Sequence, residues 1–177
     1  MTFVDMSISQ SAGQSLAMPQ RGILSVELEI NVSADRAWAA VKDLPNVLPR
    51  LMPQLLQEVI ITQGNGGVGS IREVRVPAGP FTRPHLYAEA VIDVIDDTSR
   101  TEIHRIIGGK MRNFYSFYRC TKSFTPAKDG KSCIATWTVE YEPVIQGKVE
   151  ASKQSVYAIL YALEDFLLKN DAYLNGL

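Results

Sequence analysis

The sequence predicts an α+β fold in which a seven-stranded antiparallel sheet curves around one long C-terminal helix, and three observations carry that prediction. Residues 23–32, ILSVELEINV, alternate strictly between apolar and polar. Between residues 55 and 142 lie six further runs rich in β-branched and aromatic residues, separated by short turn signals. Residues 149–170 then return to a helical period.

The first strand puts Leu24, Val26, Leu28, Ile30 and Val32 on one face and Ser25, Glu27, Glu29 and Asn31 on the other. Ser33 has the chemistry of an N-cap for the short helix ADRAWAAVKD, with Asp35 in its positive first turn. Pro45 stops that helix, and Pro49 and Pro53 leave only a short, interrupted helical piece over 45–53. The six later strands are expected near 55–63, 70–77, 84–95, 99–107, 112–124 and 132–142, with turns at Asp96-Asp97, Gly108-Gly109 and Lys128-Asp129-Gly130. Such short turns imply an antiparallel meander. In the last segment Val149, Ser152, Val156, Ile159, Leu160, Leu163 and Leu167 form one stripe. At about 1.5 Å per residue this helix is roughly 33 Å long, enough to cross the whole sheet. A strongly curved sheet gripping one helix encloses space that side chains do not fill, and that cavity is where function is expected.

Composition narrows the class. The 177 residues are 46% hydrophobic and 21% charged with net charge -1, and the pI is about 6.1. One domain over 22–174 is expected, preceded by a flexible tail over 1–21 rich in Ser and Gln. No clustered Lys and Arg invite nucleic acid, no run approaches the length of a membrane span, and the first residues lack a signal-peptide pattern, so a cytoplasmic protein without membrane insertion is expected. Cys120 and Cys133 lack metal or disulfide spacing and read as buried thiols. His85 and His104 form no metal pair, and no cofactor is implied.

Residues 64–69, GNGGVG, fit the G-x-G-x-x-G spacing of a dinucleotide loop. The context argues against that use. The following SIREVRV reads as a strand, whereas a pyrophosphate needs the N-terminus of a helix, and the Gly-Lys-Ser/Thr of a phosphate-binding loop is absent. Gly64, Gly66, Gly67 and Gly69 are therefore expected to form a structural hairpin loop.

Three stretches, VELEINVSADRAW leading into LPRLMPQLLQEV, the loop GNGGVGSI, and the ending KVEASKQSVYAILYALEDFLLKNDAYLN, resemble the birch-pollen-allergen or pathogenesis-related class 10 family of plant proteins, in the START-like superfamily. The resemblance covers about residues 22–174. It implies the helix-grip fold and a large cavity for apolar small molecules such as cytokinins, flavonoids, steroids or fatty acids, in a carrier expected to be a monomer or weak homodimer. It also implies that Leu28, Ile30, Tyr87, Glu89, Phe114, Tyr118, Cys120, Val156 and Leu160 contact the ligand.

The middle of the chain also resembles a catalytic branch of that family, the norcoclaurine synthases, which condense dopamine with an aldehyde. Aligned on LYAEAVIDVIDDTSRTEIHRIIGG and FYRC, the synthase tyrosine and glutamate fall on Tyr87 and Glu89, while its lysine and aspartate are replaced by Thr101 and Cys120. Glu89 then has the place of a general base; no matched position supplies the missing acid, and Lys110, just after Gly108-Gly109, is a conjecture for it. A ribonuclease reading is disfavoured by the pI and by the lack of a His or Lys pair.

Periodicity and resemblance disagree on one strand. Leu86, Ala88, Ala90, Ile92 and Val94 form an apolar face that periodicity alone turns inward, leaving Tyr87 and Glu89 outside, whereas the resemblance turns Tyr87 and Glu89 inward. Similarly, Phe114 and Tyr118, in phase with Cys120, are expected to line the cavity or pack as plain core, with Tyr115 and Phe117 pointing away. Tyr157 and Tyr161, one helical turn apart, either present hydroxyls to a ligand or border the core.

Overall fold

The computed structural model describes residues 21–53, 56–75, 87–144 and 153–170. β1 (Gly22–Ile30) is followed by two short helices, α1 (Ala34–Lys42) and α2 (Leu44–Leu51). Then come β2 (Glu58–Gln63), β3 (Ile71–Arg75), β4 (Tyr87–Asp96), β5 (Thr101–Gly109), a 3-10 turn over Lys110–Asn113, β6 (Tyr115–Pro126), β7 (Cys133–Pro143) and α3 (Lys153–Lys169). The strands form one sheet in the order β1-β7-β6-β5-β4-β3-β2, every pair antiparallel. Residues 1–20 of the expected tail and residues 149–152 of the expected helix lie outside the described residues.

Local chemistry accounts for the connection after β1. Ser33 has an extended backbone and its Oγ accepts from Arg36 N at 3.4 Å, capping α1. The short helical piece expected after Pro45 is α2. Pro45 sits in the first turn of α2, where its missing N–H costs nothing, so only Asp43 separates the two helices. Trp38 Nε1 and Lys42 Nζ both donate to Asp97 Oδ1 at 2.7 Å, tying α1 to the β4–β5 turn. Arg36 donates to the carbonyl of Leu167 at 2.7 Å, and Glu164 Oε1 accepts from the backbone of Asn31 at 2.8 Å, fixing α3 beside the end of β1.

The main core lies between α1, α3 and the β1–β7 side of the sheet, around Val26, Ile30, Trp38, Phe124, Ala135, Leu160 and Leu167. A second cluster joins α2 to β2 through Leu44, Leu48 and Val59. A third, Ala88, Ala90 and Ile106 with Met111 and Tyr118 against it, lies on β4, β5 and β6. α3 packs on β1, α1 and α2, and α1 packs on β6.

The glycine loop is held by its own side chains. Gly64, Gly66 and Gly69 have φ of +86°, +93° and +83°, the left-handed region that glycine enters without penalty, while Gly67 does not. Ser70 Oγ accepts from the amides of Asn65 and Gly66, Asn65 Oδ1 accepts from Gly67, and the Gly69 amide reaches the Ile92 carbonyl at 2.8 Å. Amides so occupied do not offer a phosphate cradle.

Candidate functional site on the inner face of the sheet

Register determines which side chains face α3. Val26 lies opposite Trp137, Trp137 opposite Lys122, Lys122 opposite Glu102; one step along, Val139 lies opposite Cys120 and Cys120 opposite His104. Continuing across, His104 is paired with Ile92, and Ala90 with both Ile106 and Arg72. Because directly paired residues share a face, the inner surface carries Arg72, Ala88, Ala90, Ile92, Glu102, His104, Ile106, Tyr118, Cys120, Lys122 and Trp137.

Tyr87 and Glu89 are on the other face. Their neighbours Ala88, Ala90 and Ile92 are buried, so the alternation of β4 turns both polar residues outward, correcting the orientation implied by the synthase resemblance. Glu89 lies between Glu73 and Gly108, and a Cβ at Gly108 would collide with its carboxylate. That outer surface carries ion pairs: Arg105 makes two bonds to Asp93 at 2.6 and 2.9 Å, and Arg119 reaches Glu140 at 3.4 Å.

The aromatic phase changes as well. β6 begins at Tyr115 and is irregular between Tyr115 and Phe117, so the alternation counted back from Cys120 fails there. Phe114 caps the 3-10 turn and is exposed, while Tyr115 is buried, 5.2 Å from the Tyr118 ring and 5.9 Å from that of Tyr141. Tyr118, Trp137, Tyr141 and His104 face inward yet are only half-buried. Of the remaining residues expected to touch ligand, Ile30, Cys120, Val156 and Leu160 are buried and Leu28 is half-buried. Tyr157 packs on the core, and Tyr161, stacked on it at 6.4 Å, is exposed. Thr101 is half-buried at the start of β5, opposite Ser123, and Lys110 is exposed. His85 lies outside the described residues.

At the centre of this face is a buried ionic cluster that reading strand by strand did not reveal. Lys122 Nζ donates to Glu102 Oε2 at 2.6 Å, and Arg72 Nη2 donates to Glu102 Oε1. His104 Nδ1 is 3.1 Å from both Glu102 Oε1 and Arg72 Nη2. The Lys122 ammonium also stands 5.0 Å from the centre of the Trp137 ring. Burial alone raises a carboxylic acid's pKa, but Lys122, His104 and Arg72 together outweigh it and hold Glu102 far below the ordinary carboxylate range. Burial first, then the charge on Lys122, pushes His104 down to about 4, so its ring is neutral near pH 7. Burial also pushes the Cys120 thiol up to about 12 and raises Tyr118. The sequence does contain the signal for this cluster: Lys122 is in phase with Cys120 and Phe124, and Arg72, Glu102 and Lys122 lie on three strands of one sheet.

Two openings adjoin the site. A cavity of about 10 Å³, room for one water, is lined by Arg72 and Glu102 together with Trp38, Val41, Lys42, Gly66, Ile92 and Ile95. At the other end the β5–β6 ladder stops at Arg105 opposite Arg119. Beyond it a cleft of about 270 Å³ brings the inner-face residues Ile106 and Tyr118 to the same opening as the outer-face residues Ile107 and Phe117.

A long C-terminal helix laid against a curved antiparallel sheet, with two short helices after the first strand, defines a helix-grip protein whose interior is lined by aromatic and polar side chains. Residues 20–170 match the model of the Pathogenesis-related protein Bet v 1 family, and the chain belongs to that family. It is 32% identical to MLP-like protein 423 of Arabidopsis thaliana over 123 residues, 68% of this chain and 76% of that protein. It is 28% identical to Pathogenesis-related protein 1 of Asparagus officinalis over 155 residues, 84% and 95% of the two chains. The norcoclaurine synthase of Thalictrum flavum, solved as a point mutant with a transition-state analogue, shares the fold with a TM-score of 0.69 at 22% identity, covering 88% of this chain and 99% of that one. Among the described residues no helix is long and apolar enough to cross a membrane.

Proposed function

We propose that this protein binds and carries an apolar or amphipathic small molecule between α3 and the inner face of the sheet. The supporting observation is the half-burial of Tyr118, Trp137, Tyr141 and His104, which face inward where close packing would bury them. Aromatic rings supply broad apolar contact, and the Tyr hydroxyls and His104 supply the few polar anchors typical of small-molecule sites. Phytohormones such as cytokinins, and flavonoids and steroids, are the ligand classes to screen. Displacement of an environment-sensitive apolar dye tests the proposal: saturable dye binding, displaced by at least one class, is expected, and no saturable binding of any apolar probe overturns it.

The norcoclaurine-synthase-like alternative, a lyase that joins an amine and an aldehyde, draws support from the shared fold and has less chemical support. It needs a base at the reacting carbon. Tyr87 and Glu89 face away from the interior, and the ionised Glu102, bonded to two cations and held at very low pKa, is a poor proton acceptor. With dopamine and 4-hydroxyphenylacetaldehyde a racemic product is expected. Enantiomeric excess would restore the catalytic reading.

A further inference from the structure

The inner ionic cluster is unbalanced. Arg72 and Lys122 are both buried, their side chains 5% and 2% exposed, and both are bonded to the single carboxylate of Glu102, itself 4% exposed. Among the described residues no second carboxylate meets either cation. Lys42, beside the small cavity, is matched by Asp97. The other polar groups on this face do not supply the missing charge: His104 is neutral near pH 7, and burial holds Cys120 and Tyr118 in their protonated forms.

Donor capacity is unspent as well. Lys122 carries three N–H donors, of which one goes to Glu102. Arg72 directs Nη2 toward Glu102 and His104, while its Nε and Nη1 make no hydrogen bond among the described residues. A buried excess charge is costly unless an anion meets it. Trp137 and Tyr118 lie beside the cluster, Trp137 opposite Lys122 across the ladder and Tyr118 two residues before Cys120, and both are half-buried.

We propose that Lys122 and Arg72 form an anion anchor, so that the ligand is an amphipathic acid whose carboxylate or other anionic group meets these two residues while its apolar body lies on Trp137 and Tyr118. This deepens the carrier reading and rests on it. It distinguishes ligands that the fold alone does not: an acid is favoured over its ester, alcohol or other neutral counterpart of equal size. Glu102 holds the two cations in place and offsets one of their two charges, so that the ligand's charge is the balancing one.

A matched dye pair tests this directly: 1-anilinonaphthalene-8-sulfonate, an anion, and N-phenyl-1-naphthylamine, the same skeleton without the sulfonate, each titrated by fluorescence against the full chain. The wild type is expected to bind the anion about tenfold more tightly, the size of one charge-assisted hydrogen bond. In Lys122→Met and in Arg72→Met, each of which leaves one cation for one carboxylate, the ratio of the two affinities is expected to fall toward unity. Lys122→Arg, which keeps the charge, is expected to retain it. Equal binding of both dyes by the wild type overturns the anchor and leaves the carrier reading standing. So does a preference that survives in both methionine variants or is lost in the arginine one. Failure of both dyes to bind overturns the two together. The wild-type comparison needs no variant to fold.

Discussion

Lys122 Nζ stands 2.6 Å from Glu102 Oε2 inside the protein, on adjacent strands, with both side chains almost wholly removed from solvent. Such a pair is not a surplus of stability, since desolvation offsets most of the attraction, but removal of one partner leaves uncompensated charge. Glu102 serves two cations, so its loss is the worse case. Glu102→Gln is expected to lower unfolding free energy by about 3–5 kcal/mol and Lys122→Met by clearly less. Urea denaturation of both variants checks this, and equal losses would contradict the charge accounting.

The same cluster sets an acid limit. His104 binds a proton in the folded state only near pH 4 but in the unfolded chain near 6.5, so between those values the unfolded state holds more protons and stability falls as pH falls. The full window corresponds to about 3 kcal/mol, at about 1.36 kcal/mol per pH unit. Glu102, whose folded pKa is depressed, contributes stability present above its unfolded value near 4.5 and lost as pH drops below it. Chemical denaturation from pH 7 to 4 is expected to show a steady loss that His104→Phe largely flattens.

In the glycine loop the three left-handed residues are not equivalent. An added Cβ at Gly66 or Gly69 meets open space, so alanine there carries only the backbone penalty of about 1–2 kcal/mol. At Gly64 it would also run into Ser70, whose hydroxyl accepts from the Asn65 and Gly66 amides. Melting temperatures are expected to fall further for Gly64→Ala than for Gly66→Ala or Gly69→Ala.

Both cysteines are expected to be inert in the native protein. Burial raises Cys120 to about 12 and Cys133 to about 11, which leaves little of the thiolate that reacts. A thiol-reactive disulfide reagent at pH 8 should label neither until denaturant is added. Rapid labelling of Cys120 without denaturant would mean that the interior opens readily.

Glu89→Gln is expected to leave dye affinity unchanged because the side chain lies outside, whereas Trp137→Ala should weaken it through lost ring contact. Parallel titrations of the two variants separate these outcomes, and a Glu89 effect as large as that of Trp137 would return Glu89 to the site.

These residues also show what was legible in advance. The alternation of Ala88, Ala90 and Ile92 places the inner face of β4 correctly, whereas aligning Tyr87 and Glu89 with a catalytic pair shifts it by one, and one step reverses a strand's faces. Strand and helix periods recover the seven strands, α1 and α3, and the spacing of Pro45, Pro49 and Pro53 leaves room for the short α2. The irregular step between Tyr115 and Phe117 has no signature in the residue pattern, which is why Phe114 and Tyr115 exchange roles. The ionic cluster escaped for a different reason: Arg72, Glu102 and Lys122 look like ordinary solvent-facing charges until three strands are set in register.

The pairing of β1 with β7 bears on how the molecule comes into being. Gly22 and Ile30 close against Tyr141 and Cys133, which lie far along the chain and leave the ribosome much later. β2 to β6 can zip as successive hairpins while the chain is being made, but the first strand has no edge to join until the last one exists. Contacts of such sequence separation slow folding, and until then the apolar side of β1, with Leu24, Val26 and Ile30, is without its partner. The nascent protein therefore carries an unpaired apolar strand until β7 emerges, and that interval is when a chaperone would be of most use to it.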